Sequence, residues 1–284
     1  MTLGPTKLGL STHCFAYRPI HADYFAWIRD AGFTAIELWC MAPHVEIEIA
    51  GSVAYFGKRA KAAGLDILSV HLPFYNRFGD PDFHYLNLGD PDRERAREAR
   101  NRMLRVIAQM PEIGADRAVV HGIANMPGDP DQIAGWYVED LAVIADEAAN
   151  RGVMLAMENI MTEPSKTAPL AGLIDKLDHA HVRCCLDVGH ANVNENAVTA
   201  VETLGERIIS MHLHDNRGEH DEHLVPGDGT IDWPALVNAV KTHCPHTNLI
   251  YEINFPFARD ETDPADVAQH LRRARERARE HWGL

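Results

Sequence analysis

The sequence has no run of eighteen apolar residues, so nothing in it reads as a membrane span. Its N-terminus, MTLGPTKLGLSTH, lacks a basic region followed by an apolar run, which argues against a signal peptide. Five cysteines (Cys14, Cys40, Cys184, Cys185 and Cys244) make an odd count without a CxxC pair. The expectation is reduced thiols in a cytoplasmic protein. Basic residues are scarce: 27 Lys and Arg stand against 41 Asp and Glu, a formal net charge of −14. Such a surface repels phosphate backbones and offers no basic footprint for nucleic acid. Linkers, low-complexity segments and internal repeats are also missing, so residues 1–284 are expected to form one domain. The 46 % hydrophobic content is enough for a sizeable core.

What the chain does have is a regular alternation. Short apolar runs at Lys7–His13, Ala35–Cys40, Ile67–Leu72, Arg117–Gly122, Met154–Ile160, Val182–Val188, Ile208–Asp215 and Asn248–Asn254 read as strands. Most are apolar on both faces, as parallel strands covered by helices are. Helical patterns lie between them, at Ala22–Ala31, Val53–Ala63, Asp92–Met110, Asp131–Asn150, Leu170–His179, Ala197–Leu204, Trp233–His243 and Pro264–His281. The clearest is Asp92–Met110, with Ala96, Ala99, Met103, Val106, Ile107 and Met110 on one face and Arg and Glu on the other. Eight strand–helix pairs in 284 residues suit a (β/α)8 TIM barrel. The competing open doubly wound sheet usually shows a glycine-rich turn after its first strand, and here that strand ends in STHCFAY. The loop Phe74–Asp92, rich in aromatics, is either a lid over the site or a plain surface loop.

In this barrel class the site lies at the C-terminal ends of the strands. Those ends carry, in order, His13, Glu37, His71, His121, Glu158–Asn159, Asp187 with His190, His212 with His214, and Glu252. A lone histidine ending an apolar run is most simply a hydrogen-bonded core residue. Ionisable groups at the same end of all eight strands are different, because burying so many without a compensating charge is prohibitive. A divalent cation at the barrel mouth removes the problem, and imidazole with carboxylate suits zinc or manganese. The stretch HLHDNRGEHDEHLVPGDGTID, His212–Asp232, adds Asp221 and His223 at the same two-residue spacing, then Asp232 as the N-cap of a helix opening at Trp233–Pro234.

With LAMEN, CLDVGH, MHLHDN, DEHLVPGDGTID and LIYEIN in place, nearly the whole chain resembles the xylose-isomerase-like barrel superfamily. It is most similar to the sugar phosphate isomerase/epimerase group, which also contains endonuclease IV. That resemblance implies one divalent ion held by Glu158, Asp187, His212 and Glu252, with Glu158 and Glu252 as the acid/base pair. It also implies substrate contacts from His190 and Arg217, to which the first two strand ends add His13 and Glu37. The endonuclease IV pattern would use His71, His121 and Glu158 for one ion, the quartet for a second, and His190, Asp221 and His223 for a third. All of these positions are filled, so more than one ion and an alternative zinc phosphoesterase activity stay open. The first strand instead leads into STHCFAYRP rather than a glycine-rich turn, and the charge is acidic.

The expected activity is isomerisation or epimerisation of a small sugar or sugar phosphate by proton transfer beside a carbonyl through an enediolate. Burial would raise the pKa values of the two glutamates and positive charge would lower them, two opposed effects. Trp39, Phe74 and Tyr75 are candidate apolar walls for the sugar, with core packing the simpler role for Trp39. Neither a nucleic-acid nor a membrane partner is expected; a homo-oligomer is left open. The charge balance leads to a direct test. In gel-shift and nicking assays at physiological salt, the protein should neither retain duplex DNA nor cut it at an abasic site; efficient nicking would contradict this.

Overall fold

Short apolar runs alternating with amphipathic helices favour parallel strands with both faces covered. The structure, a computed structural model describing residues 7–255 and 263–284, has that form. Eight parallel strands close into a barrel in chain order. They are β1 (Leu8–Ser11), β2 (Ala35–Trp39), β3 (Asp66–His71), β4 (Arg117–His121), β5 (Met154–Glu158), β6 (Val182–Asp187), β7 (Ile208–Leu213) and β8 (Asn248–Tyr251). The helices are α1 (Ala22–Asp30), α2 (Ser52–Ala62), α3 (Arg93–Ile107), α4 (Met110–Ile113), α5 (Pro130–Asn150), α6 (Thr167–Leu177), α7 (Val188–Asn194), α8 (Ala197–Leu204), α9 (Trp233–His243) and α10 (Pro264–Trp282). All five cysteines are buried and free, and no described helix is long and apolar enough to cross a membrane.

Two helices depart from the sequence expectation. The segment Asp92–Met110 is not one helix: Asp92 caps it, accepting from the backbone of Glu94 and Arg95, and α3 ends at Ile107. Pro111 cannot continue an α-helix, because it has no N–H and its ring clashes with the preceding turn, so a separate short α4 follows. The second departure is α7, an unexpected helix with the sequence VGHANVN. Glycine and asparagine are poor helix formers, and periodicity gave no signal. The Asp187 side chain starts α7 by accepting from His190 N at 2.8 Å. Asp232 caps α9 as its position before Trp233–Pro234 implied, accepting from Ala235 N at 3.0 Å.

The barrel interior changes character over a single two-residue step, the side-chain period of a strand. Val119, Ala156, Cys185 and Ile209 form one apolar cluster and Ala35, Leu68 and Ile250 another, both separate from the large core between strands and helices. Two residues further along their strands come His121, Glu158, Asp187, Glu37 and Glu252. The strand register sets these in level pairs, His121 with Glu158 and Asp187 with His212. An apolar plug therefore underlies a polar layer at the C-terminal mouth.

The loop after β7 carries Asp221 and His223, and the buried side chain of Asp215 pins it. Asp215 Oδ2 accepts from Trp233 Nε1 at 2.7 Å and Gly227 N at 2.9 Å, while Oδ1 accepts from Ile231 N at 3.2 Å and Asn216 N at 2.9 Å. Gly229 is obligatory, because a Cβ there would lie 2.2 Å from Asp215 Oδ1 and from the Asn216 carbonyl. Asp215→Ala should cost at least about 3 kcal/mol, since each buried donor left unpaired costs roughly 1–3 kcal/mol. Urea unfolding measures this; a loss below about 1 kcal/mol would show that the loop does not depend on Asp215.

Candidate active site

Glu158, Asp187, His212 and Glu252, from β5, β6, β7 and the end of β8, each bring one donor atom within 4.8 Å of the others, and all four are buried. His212 Nδ1 lies 3.0 Å from Glu158 Oε1, 3.1 Å from Glu252 Oε2 and 3.8 Å from Asp187 Oδ2. On the other side of Glu158, its Oε2 is 3.1 Å from His71 Nε2 and 3.4 Å from His121 Nε2. A further cluster joins His190, His214, Asp221 and His223. There Asp221 Oδ2 is 3.3 Å from His190 Nε2 and 3.1 Å from His223 Nε2. His214 Nε2, 3.0 Å from Asp187 Oδ1, links the two groups.

The backbone decides which nitrogen three of these rings present. His71 Nδ1 donates to the Leu72 carbonyl at 2.9 Å, His190 Nδ1 to that of Asn159 at 2.8 Å, and His223 Nδ1 to that of Glu252 at 2.7 Å. A carbonyl only accepts, so each Nδ1 carries a proton and each Nε2 faces the carboxylates. Asn159 also locks β5 to β6, donating to the Asp187 carbonyl at 2.9 Å and accepting its N–H at 2.7 Å. His223 takes up a left-handed backbone, φ 49°, a conformation in which histidine is enriched among non-glycine residues. His214 was placed at a strand end by the sequence but given no ligand or substrate role, although its spacing from His212 was the available signal. Its ring fills the space against Gly189, where a Cβ would lie 1.9 Å from it.

Burial pushes the Glu158 carboxyl up, but the charge on His212 and hydrogen bonds from His212 and His71 outweigh it and hold it well below the usual range. Burial likewise opposes, and His212 again outweighs, at Glu252. Burial is outweighed at His212 by Cys185, Glu252, Glu37 and Glu158 and at His190 by Asp187 and Asp221, which raise both well above the ordinary imidazole value, and Asp221 raises His223 to about 9. Positive charge thus wins over burial at both glutamates. The buried oxygens Glu252 Oε1 and Asp221 Oδ1 have no hydrogen-bond partner. Unpaired buried carboxylate oxygens are costly, and a mixed oxygen and nitrogen donor set suits a borderline divalent ion, so the residues present fit one.

Above the quartet opens a cavity of about 610 Å³, a size ordinary for small-molecule sites. His13, His71, His121, His190, Asp221, His223, Glu158 and Glu252 reach it, opposite a wall of Trp39, Phe74, Tyr75, Phe78, Phe83 and Tyr85. The Phe74–Asp92 loop is therefore part of the cavity wall: Phe74 stacks on His121 at 3.7 Å, and Trp39 Nε1 donates to Tyr75 Oη at 3.1 Å. Trp39 packs in a small cluster with Ala16, Met41 and Tyr75 and also faces the cavity. Two residues expected to touch substrate are placed elsewhere. Glu37 is fully buried inside the barrel, outside the cavity lining. Arg217 is held outward: its backbone N–H and its guanidinium both bond Glu222, its side chain is 60 % exposed, and it does not line the cavity.

A sequence model of the family described as xylose isomerase-like TIM barrel matches residues 25–279. Among solved structures, a D-psicose 3-epimerase superimposes with TM-score 0.79 at 18 % identity, covering 98 % of this chain and all of that one. A 3-keto-D-glucoside 4-epimerase from E. coli gives TM-score 0.75 at 20 % identity, over 97 % of this chain and 99 % of that one. At these identities the likeness is one of fold. A probable endonuclease 4 from Acholeplasma laidlawii is 24 % identical over 201 residues, 63 % of this chain and 65 % of that protein. The chain spans between 33 % and 65 % of the length of the curated relatives it matches.

The buried imidazoles imply a stability profile for the metal-free protein. Burial, the largest cause, lowers His13 and His121 to about 3 and His44 to about 4 from 6.5. The unfolded chain binds those protons more readily, so their contribution is lost as pH falls below 6.5 towards 3. His223 acts oppositely: its contribution is present below 6.5 and is lost as pH rises through about 9. Urea midpoints of chelator-treated protein should therefore peak at about pH 6–7 and drop on both sides. A flat profile from about pH 5 to 9 would contradict these assignments.

Proposed function

The chain belongs to the xylose isomerase-like TIM barrel family, and on that premise we propose that it is a divalent-metal-dependent sugar isomerase or epimerase. The observation that carries this is the convergence of Glu158 and Glu252, at 3.0 and 3.1 Å, on one nitrogen of His212 beneath an aromatic-walled cavity. Two carboxylates from different strands at one point are what a reaction needs when one group removes a proton from carbon and another returns it. The epimerases among the structural neighbours support the same reading.

Glu158, Asp187, His212 and Glu252 would hold a zinc or manganese ion, which when bound supplies Lewis-acid polarisation of the substrate carbonyl. The remaining work falls to side chains. One glutamate takes the proton from the carbon beside the carbonyl, leaving a planar enediolate. The other delivers a proton to the opposite face for epimerisation, or a proton returns at the neighbouring carbon for isomerisation. His13 and His121, kept neutral mainly by burial, can each both donate to and accept from hydroxyl groups. Trp39, Phe74 and Tyr75 cover the apolar C–H faces and exclude water.

A second reading, a multinuclear phosphoesterase, is favoured by the two additional donor clusters, His71–Glu158–His212 and His190–His214–Asp221–His223. The endonuclease-like relative points the same way. Elemental analysis of protein purified without chelator separates the two: one ion per chain is expected, and two or three would favour hydrolysis. The decisive experiment incubates metal-loaded protein with a panel of sugars and sugar phosphates in deuterated water. Deuterium should enter beside the carbonyl, and Glu158→Gln and Glu252→Gln should each lose at least about 10²–10⁴-fold in turnover. Hydrolysis of a phosphoester with no exchange by any sugar would make the isomerase assignment wrong.

A further inference from the structure

One buried carboxylate in the barrel has no part in the proton transfers above. Glu37 is fully buried, as are the two hydroxyls that hold it, Ser11 and Ser69. Ser11 Oγ donates to Glu37 Oε1 at 3.2 Å and Ser69 Oγ to Oε2 at 2.7 Å. Strand register makes this possible, since Glu37 is level with Ser11 on one side and with Ser69 on the other. The third partner comes from across the barrel: His212 Nε2 lies 3.2 Å from both oxygens of Glu37.

His212 is turned the opposite way from its neighbours. His71, His190 and His223 give Nδ1–H to main-chain carbonyls and face the site with Nε2, whereas His212 faces Glu158 and Glu252 with Nδ1. His212 sits within β7, whose main chain pairs with β6 and β8, so the partner for its far nitrogen is a side chain. With Nε2 engaged by the Glu37 oxygens, Nδ1 is the nitrogen left facing the quartet, and when Nδ1 binds an ion the ring proton that remains sits on Nε2. We infer that Glu37 is a positioning residue, which together with Ser11 and Ser69 fixes His212 so that Nδ1 is the nitrogen offered to an ion among Glu158, Asp187 and Glu252. This rests on that quartet being the ion site. A carboxylate that merely filled the barrel would affect stability and nothing at the ion.

The test compares wild type, Glu37→Gln, Glu37→Leu and Ser69→Ala. Zinc affinity is measured by chelator competition on protein shown to be folded. NMR of the cadmium-loaded, ¹⁵N-histidine-labelled protein reports which His212 nitrogen binds metal. Wild type should bind through Nδ1 with Nε2 protonated. Both Glu37 variants should bind zinc about 10–100-fold more weakly, the scale for losing an outer partner of a metal-bound histidine. Ser69→Ala should lose less in the same direction, and it carries the comparison if Glu37→Leu does not fold. Folded Glu37 variants that bind zinc as tightly as wild type, or wild-type binding through Nε2, would overturn the assignment of Glu37 alone. Wild type that takes up no zinc would overturn the ion site and this role together.

Discussion

Four carboxylates and several imidazoles are crowded together at the mouth of this barrel, and each carboxylate taken from water costs several kcal/mol unless something of opposite charge meets it. The constraint organises the molecule. Glu158 touches His71, His121 and His212, Asp187 touches His212 and His214, and Asp221 gathers His190, His214 and His223. These contacts hold the glutamates well below the ordinary carboxylate range despite full burial. The oxygens left without a hydrogen bond, Glu252 Oε1 and Asp221 Oδ1, are those an ion would satisfy.

Such a centre needs its ligands aimed before anything binds, and the fold supplies the aim from the backbone outward. Carbonyls at strand ends fix the proton on three histidines, and the Asn159 side chain clamps β5 to β6 beside Asp187. Asp187 has two tasks, placing an oxygen in the quartet and starting α7 so that His190 turns back over the site. Asp215 does for the loop after β7 what the strands do for the rest, converting a flexible connection into a fixed platform for Asp221 and His223.

The apolar side of the cavity is built differently. Its rings come mainly from one long loop after β3, held down by stacking of Phe74 on His121 and by the Trp39–Tyr75 hydrogen bond. The wall and the polar centre are thus joined through His121 and Trp39. A change in the loop that moved Phe74 would be felt at a residue 3.4 Å from Glu158.

The order of the eight strands and most of the helices, and the concentration of ionisable residues towards one end of most strands, were legible in the sequence. Both are local signals: short apolar runs bounded by polar, amphipathic stretches favour buried strands, and alternation fixes which side chains share a strand's face. What the sequence could not decide was anything set by distance between strands. Glu37, within β2, and Glu252, just after β8, are both carboxylates on barrel strands, yet Glu252 reaches the cavity and Glu37 is sealed inside against Ser11, Ser69 and His212. The family resemblance implied Arg217 as a substrate contact, and a neighbouring glutamate holds it outward. His214 entered the centre because Gly189, on a helix with no periodic signature, leaves room for its ring. Whether burial or positive charge prevailed at the glutamates depended on how many imidazoles lie within hydrogen-bond reach. Spacing along a chain cannot carry that information, because the residues concerned meet only when the barrel closes.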